Sequence, residues 1–263
     1  MRRIVSTAAL AAVLCSAVTA RPLDLDAIKA RGTLRVIVAA DEAPETFALQ
    51  AGVESGFERE LLEGFARLRG FKIDVVVAKA YSDRIPMLLK GEGDVIAAIF
   101  DTPERRRQVD FTVEVMPTHN VAVTLAPRPP VSRLADLKTL KVGVIKGAKP
   151  AETALEAGVP VTALVGFDRL EDLLDALKKG DVAAGILPVS EMALAAKRIP
   201  RLQAGVTIGA PGRIAWAVRK EDPALRGTLD EYVGNIRRGS SWSRLIVKYF
   251  GDQALSVLGR SRP

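Results

Sequence analysis

The chain has 263 residues, 48% of them hydrophobic, and a formal charge of +7, which is enough for one large domain or two smaller ones with useful cores. Cys15 is its one cysteine and His119 its one histidine, which excludes disulfide frameworks, Cys–His metal sites and poly-His zinc sites. His119 is then the sole base open to a Ser-His-Asp triad, and nothing in the sequence asks for a metal or cofactor.

The basic start Arg2-Arg3 precedes an apolar run over 4–15, and Val18-Thr19-Ala20 suits a signal peptidase. Residues 1–20 are therefore expected to be an export signal cleaved near Ala20. The run is too short to span a bilayer. Its removal takes the cysteine and two arginines with it, leaving a secreted, periplasmic chain of +5. The remaining positive charge is spread out beside three tyrosines and two tryptophans, so no stacking platform for nucleic acid is indicated.

Strand and helix patterns then alternate. Residues 33–39 predict a strand. Residues 57–69 predict a helix with Phe57, Leu61, Leu62, Phe65 and Leu68 on one face, ended by Gly70. A strand over 71–77, a helix over 82–90 and a strand over 94–100 follow. After 117–120 the order restarts, with strands at 140–145, 159–164 and 182–187 and helices at 150–157, 170–179 and 191–198. An irregular stretch at 207–212 leads to a strand at 214–219 and a helical segment over 225–250. Each unit repeats one phrase, a helix ending in Lys-Gly and a strand opened by an aspartate, Asp94 or Asp181. Such alternation implies an α/β fold with parallel sheets built from crossover units. Two units imply two lobes: 21–117 with 213–263 as the first, 121–208 as the second. Each carries an open, mainly parallel sheet. Two crossings near 117–120 and 207–213 make a hinge, and a hinge makes a closing cleft.

The segment Thr102-Pro103-Glu104-Arg105-Arg106-Arg107-Gln108-Val109-Asp110-Phe111-Thr112 resembles the signature of the polar amino-acid class of periplasmic solute-binding proteins, extracellular solute-binding family 3. Gly32-Thr33-Leu34-Arg35-Val36, Gly56-Phe57-Glu58, Leu140 to Gly147 and Arg238 to Gly251 match further family phrases in the same order. The resemblance implies a type II-like binding-protein fold and a receptor that hands a small carboxylate or amino-acid-like ligand to an ABC importer. Docking to the membrane permease would be transient and the protein a monomer, with no catalysis.

By the same resemblance, Arg105 clamps the ligand carboxylate, as a planar guanidinium suits two oxygens. Tyr81 stands where an aromatic stacks on the ligand, or is a core aromatic at a helix start. Asp41 follows the first strand, where an acid meets a basic ligand or merely begins a loop. Ala98 and Phe100 lie on a first-lobe segment poor in hydroxyls. Ala148 and Lys149 follow Gly147 in the turn whose amides meet the carboxylate, and Lys149 either adds a cation or points to solvent. The family's second-lobe acid for an α-ammonium is missing, because Ile186 and Leu187 stand near its place. The site is therefore expected to be more apolar and more cationic than an amino-acid site. Two other functions fit the scaffold: a cyclic-carboxylate dehydratase, with Glu114, Asp101 or Asp41 as its acid, and a non-transport accessory or sensor module.

Overall fold

The computed structural model describes residues 25–40, 42–50 and 54–251. The expected export signal and Asp41 lie outside the described residues. Helix α1 (Leu25–Arg31) leads into β1 (Thr33–Ala39), α2 (Pro44–Phe47), α3 (Phe57–Arg69), β2 (Lys72–Ala78), α4 (Arg84–Leu89) and β3 (Val95–Phe100). A short α5 (Pro103–Arg106) and β4 (Asp110–Phe111) precede the long β5 (Met116–Leu125). Next come β6 (Val142–Ile145), α6 (Lys149–Glu156), β7 (Leu164–Phe167), α7 (Leu170–Lys179), β8 (Ala184–Pro188) and α8 (Val189–Arg198). Strand β9 (Leu202–Val218) then returns to α9 (Pro223–Arg238) and α10 (Ser240–Phe250).

The alternation sorts side chains between two faces of each lobe's sheet, as the period of a strand requires. On β1, Val36 and Val38 enter a core capped by α3, α9 and α10, while Ile37 faces a second core with Leu88 and Ile96. Phe57 anchors the first core, with edge contacts to Trp242, Tyr249 and Phe250 at 5.4, 6.3 and 5.3 Å. In the other lobe, Leu173, Leu174 and Leu177 of α7 cover one face, and Ala154 and Val159 help to cover the opposite one.

Strands β1, β2 and β3 pair in parallel in one lobe, and β6, β7 and β8 in the other. The hydrogen bonding does not stop between them. It runs in the order β2-β1-β3-β9-β5-β8-β6-β7, with β4 also on β9. The two expected sheets are thus joined edge to edge through antiparallel β5 and β9.

This pairing overrides the local sequence at the crossings. The stretches 117–120 and 207–212, expected to be irregular, lie within β5 and β9. Their irregularity survives as a register shift: Thr118 faces Gly212, yet Asn120 faces Ile208. Gly209 sits in the extra loop of chain at φ +73°, where a Cβ would also strike Thr153 at 2.6 Å, so glycine is the residue this bulge accepts.

Other expectations shift. The strand expected at 159–164 begins with a 3-10 turn at Val161–Ala163, and pairing starts only at Leu164, where β6 is reached. The final helical segment is two helices, broken at Gly239, whose extended backbone (φ −96°, ψ 166°) cannot continue α9.

The repeated aspartate has two roles. Asp181 is exposed. Asp94 is fully buried and accepts from Arg31 Nη2 at 2.5 Å, Arg35 N at 2.8 Å and Arg35 Nη2 at 2.9 Å. Removing one partner of a buried charge cluster leaves the others uncompensated, at about 3–5 kcal/mol. Asp94→Ala is expected to lower the unfolding free energy by about that much in urea titrations, whereas Asp181→Ala should change it by less than about 0.5 kcal/mol.

Candidate functional site

The site grows from an irregularity in β3. Val95 and Ala97 enter one core of the first lobe and Ile96 the other, in strict alternation. Ala98 interrupts it with φ +47°. Beyond it, Ile99 falls on the face of Ile96, and Phe100 on that of Val95. Ala98 is one extra residue, a bulge, and the register against β9 shifts there too. A left-handed alanine is held only if its surroundings over-determine it.

Two buried polar side chains lie against it. Arg84 donates through Nη1 to the carbonyls of Ala97 and Ala98 at 3.3 and 3.4 Å. The Glu58 carboxyl, buried nearby, accepts from Trp216 Nε1. Burial, opposed by the Trp216 bond and reinforced by Glu42, pushes the Glu58 carboxyl up to about 8, so it is protonated at neutral pH.

Just beyond the bulge, Thr102 caps α5 by accepting the Arg105 amide at 3.2 Å. The cap turns the Arg105 side chain back to the Phe100 carbonyl (3.0 Å) and across to the Gly147 carbonyl of the other lobe (3.4 Å). Burial, with the charge of Arg84 nearby, holds this guanidinium below the ordinary arginine value. No carboxylate lies within ion-pair distance of it among the described residues. Ser82 and Gly147 also meet: a Cβ at Gly147 would lie 3.4 Å from that of Ser82. The two lobes touch here, and the cleft is shut.

Among the described residues the cleft holds small cavities of about 20 and 30 Å³, each near the size of one water. Tyr81, Phe100, Ala148 and Leu187 line the first, and Tyr81, Ala98 and Phe100 the second. Five of the expected site residues therefore converge, and Arg105 stands beside them. Tyr81 is shared between the readings left open for it: it packs on the second lobe's core while lining the cleft. Lys149 stands apart. Its ammonium is tied to Glu152 and Glu156 of its own helix at 3.3 and 2.8 Å.

Four side chains were missed. Ile186 and Leu187 are fully buried and carry no acid, but Glu191, in the first turn of α8, lines both cavities, as does Glu42 from the first lobe. A second-lobe carboxylate thus reaches the cleft from the following helix. Glu58 lines the second cavity with them, and Arg84 lies behind Tyr81. Glu58 was legible only as part of the Gly56-Phe57-Glu58 phrase. Arg84 and Glu42 had no motif at all. Two acids proposed for a dehydratase are engaged elsewhere: Asp101 is held by Arg106 and Arg213 at 2.6 and 2.5 Å, Glu114 by Arg237 at 2.9 Å. Among the described residues no helix is long and apolar enough to cross a membrane.

The profile of the bacterial extracellular solute-binding proteins, family 3, matches residues 34–252. Membrane-bound lytic murein transglycosylase F of Pseudomonas syringae pv. tomato is 26% identical over 254 residues, 94% of this chain. The chain spans about half the length of that relative, 50% of it. Among solved structures, an ancestral arginine-binding protein bound to arginine is 26% identical with a TM-score of 0.75, covering 84% of this chain and 99% of its own. A solute receptor for L-cysteine of Neisseria gonorrhoeae is 25% identical with a TM-score of 0.76, covering 88% and 94%.

The raised Glu58 value fixes the sign of a pH effect. The folded carboxyl keeps its proton to about pH 8, whereas the ordinary value is 4.5. The folded state therefore binds the extra proton across that window, and stability falls as pH rises through it, by on the order of 5 kcal/mol in all. Urea denaturation at pH 5, 7 and 9 should show this decline in the wild type. In Glu58→Gln, which keeps an acceptor for Trp216, the decline should flatten.

Proposed function

The chain belongs to the bacterial extracellular solute-binding proteins, family 3, and on that premise we propose that it is a periplasmic receptor that closes on a small amino acid and delivers it to an ABC-type importer. The observation that carries this reading is Arg105. It is a partly buried cation at the seam of the lobes whose side-chain hydrogen bonds go to two carbonyls and, among the described residues, to no carboxylate. An α-carboxylate entering between the lobes replaces those weak acceptors with a charge-assisted, two-pronged bond. Glu191 and Glu42 receive the α-ammonium, so the ligand is an amino acid and not a bare carboxylate. Phe100, Ile145 and Leu187 give the side chain an apolar wall.

In this reading the lobes are 21–117 with 213–263 and 121–208, and the hinge lies near 117–120 and 207–213. The register shift of β5 on β9 supports that place, because a bulged ladder bends more readily than a regular one. Export through the segment 1–20 brings a monomer to the periplasm, and its closed form docks transiently on a permease. No cofactor or catalytic step is needed. A second reading, a ligand-sensing half of a larger envelope protein, is favoured by the transglycosylase relatives, of which the chain matches half. Co-purification with a permease separates the two.

Thermal melting of the protein with a panel of amino acids, keto acids and dicarboxylates tests the ligand class. One or a few amino acids should raise Tm at concentrations far above Kd. Arg105→Ala should weaken that ligand about 10- to 100-fold, the worth of a charged hydrogen bond. Stabilisation by keto acids as strong as by the matching amino acids would remove the role given to Glu191.

A further inference from the structure

We propose that Arg84, buried behind Tyr81, makes the Tyr81 face of the cleft a subsite for uncharged or anionic side chains and excludes cationic ones. The inference rests on the amino-acid reading above and names which amino acids the cleft takes.

Arg84 is fully buried at 0% exposure. Its guanidinium carbon lies 3.8 Å from the centroid of the Tyr81 ring. Its hydrogen bonds go to the carbonyls of Tyr81, Ala97 and Ala98, at 3.4, 3.3 and 3.4 Å. The second terminal nitrogen, Nη2, is buried and has no hydrogen-bond partner, and no carboxylate is within ion-pair distance of the group among the described residues. Carbonyl dipoles and a π face accommodate such a cation, but they do not cancel its charge. Its field therefore reaches through the ring into the cleft.

One face of Tyr81 is occupied by this cation, so a ligand meets the opposite face. A ring accepts one cation through its negative quadrupole. A second on the far side lies only about twice the ring–cation spacing from the first, across a dry, low-dielectric gap where like charges repel strongly. Arg105 adds another positive charge at the same wall. Glu42 and Glu191 line the cavity as well, and they offset the one ammonium that every amino acid carries. A lysine or arginine side chain brings a second cation, and the place left for it is against Tyr81. An apolar, aromatic, amide or acidic side chain meets no such repulsion there.

Arginine and citrulline form the matched probe pair, equal in shape and differing in side-chain charge, with lysine and norleucine as the shorter pair. Binding by calorimetry or by thermal shift to the wild-type protein should favour the neutral member of a pair by at least about tenfold. Arg84→Met, similar in length and uncharged, should shrink that ratio about tenfold or more, and Arg84→Lys should keep it. Equal or tighter binding of the cationic members to the wild type overturns the inference without any variant having to fold. An unchanged ratio in a folded Arg84→Met does so too. If leucine, phenylalanine, glutamine and glutamate bind while neither pair shows discrimination, only the role of Arg84 fails. If no amino acid binds, the amino-acid reading fails and this inference with it.

Discussion

The antiparallel pairing of β5 on β9 is the constraint on which the rest of the molecule depends. Each lobe owns a parallel triplet that has no partner at its inner edge, and an unpaired edge deep in a protein leaves amides and carbonyls without acceptors or donors. Strand β9 closes the edge of β3, and β5 closes that of β8. The same two strands then bond to each other, so neither lobe's sheet is complete without the chain that leaves it. A register shift in the middle, around Gly209, lets the joined ladder change direction. Continuity and bend together place the carboxyl ends of both parallel triplets face to face, where ligands sit in open α/β sheets.

Within that frame the chemistry of the cleft is set by one extra residue. The bulge at Ala98 carries Phe100 to the cleft and aims the chain so that Thr102 can cap α5 and turn Arg105 inwards. Arg84 holds it on its carbonyl side. Glu58, buried nearby, keeps its proton and forms no ion pair with Arg84. A buried cation is left behind the Tyr81 wall of the cleft as a by-product of how the backbone irregularity is stabilised.

Much of the fold could be read from periodicity. The strand over 33–39 and the helix over 57–69 agree residue for residue with β1 and α3, because β1 is buried on both faces and α3 turns Phe57, Leu61, Leu62 and Phe65 to one core, leaving only Leu68 of its expected face exposed. The crossings could not, because Pro117 and Gly209 are local breakers, and only pairing with a strand some ninety residues away makes them β-structure. The site divides in the same way. Arg105 sits in a family phrase, Tyr81, Phe100, Ala148 and Leu187 sit at strand ends and turns that the alternation places, and they converge. Glu191 was hidden because a carboxylate can reach one cavity from the strand end or from the next helix, and sequence shows only that the strand end lacks it. Arg84 was hidden for a different reason: a charged residue in a helix pattern reads as surface, and its burial depends on a bulge that no local signal announces.

These features make ligand and closure mutually dependent in the proposed receptor. The shut cleft brings Arg105 against the Gly147 carbonyl and seats Tyr81 on the second lobe's core, with Leu194 of α8 packed into the first lobe's core. The apolar contacts favour closure with or without ligand. Arg105 and Arg84 oppose it, because drying a guanidinium with only carbonyls for partners costs more than leaving it near water. An anion between the lobes reverses the sign of that electrostatic contribution while leaving the apolar contacts as they were. The ligand thus binds the closed state better than the open one through a named charge, which is what a ligand must do to shift a conformational equilibrium. A neutral solute of the same shape lacks that difference, and it would fill the cleft without favouring its closure.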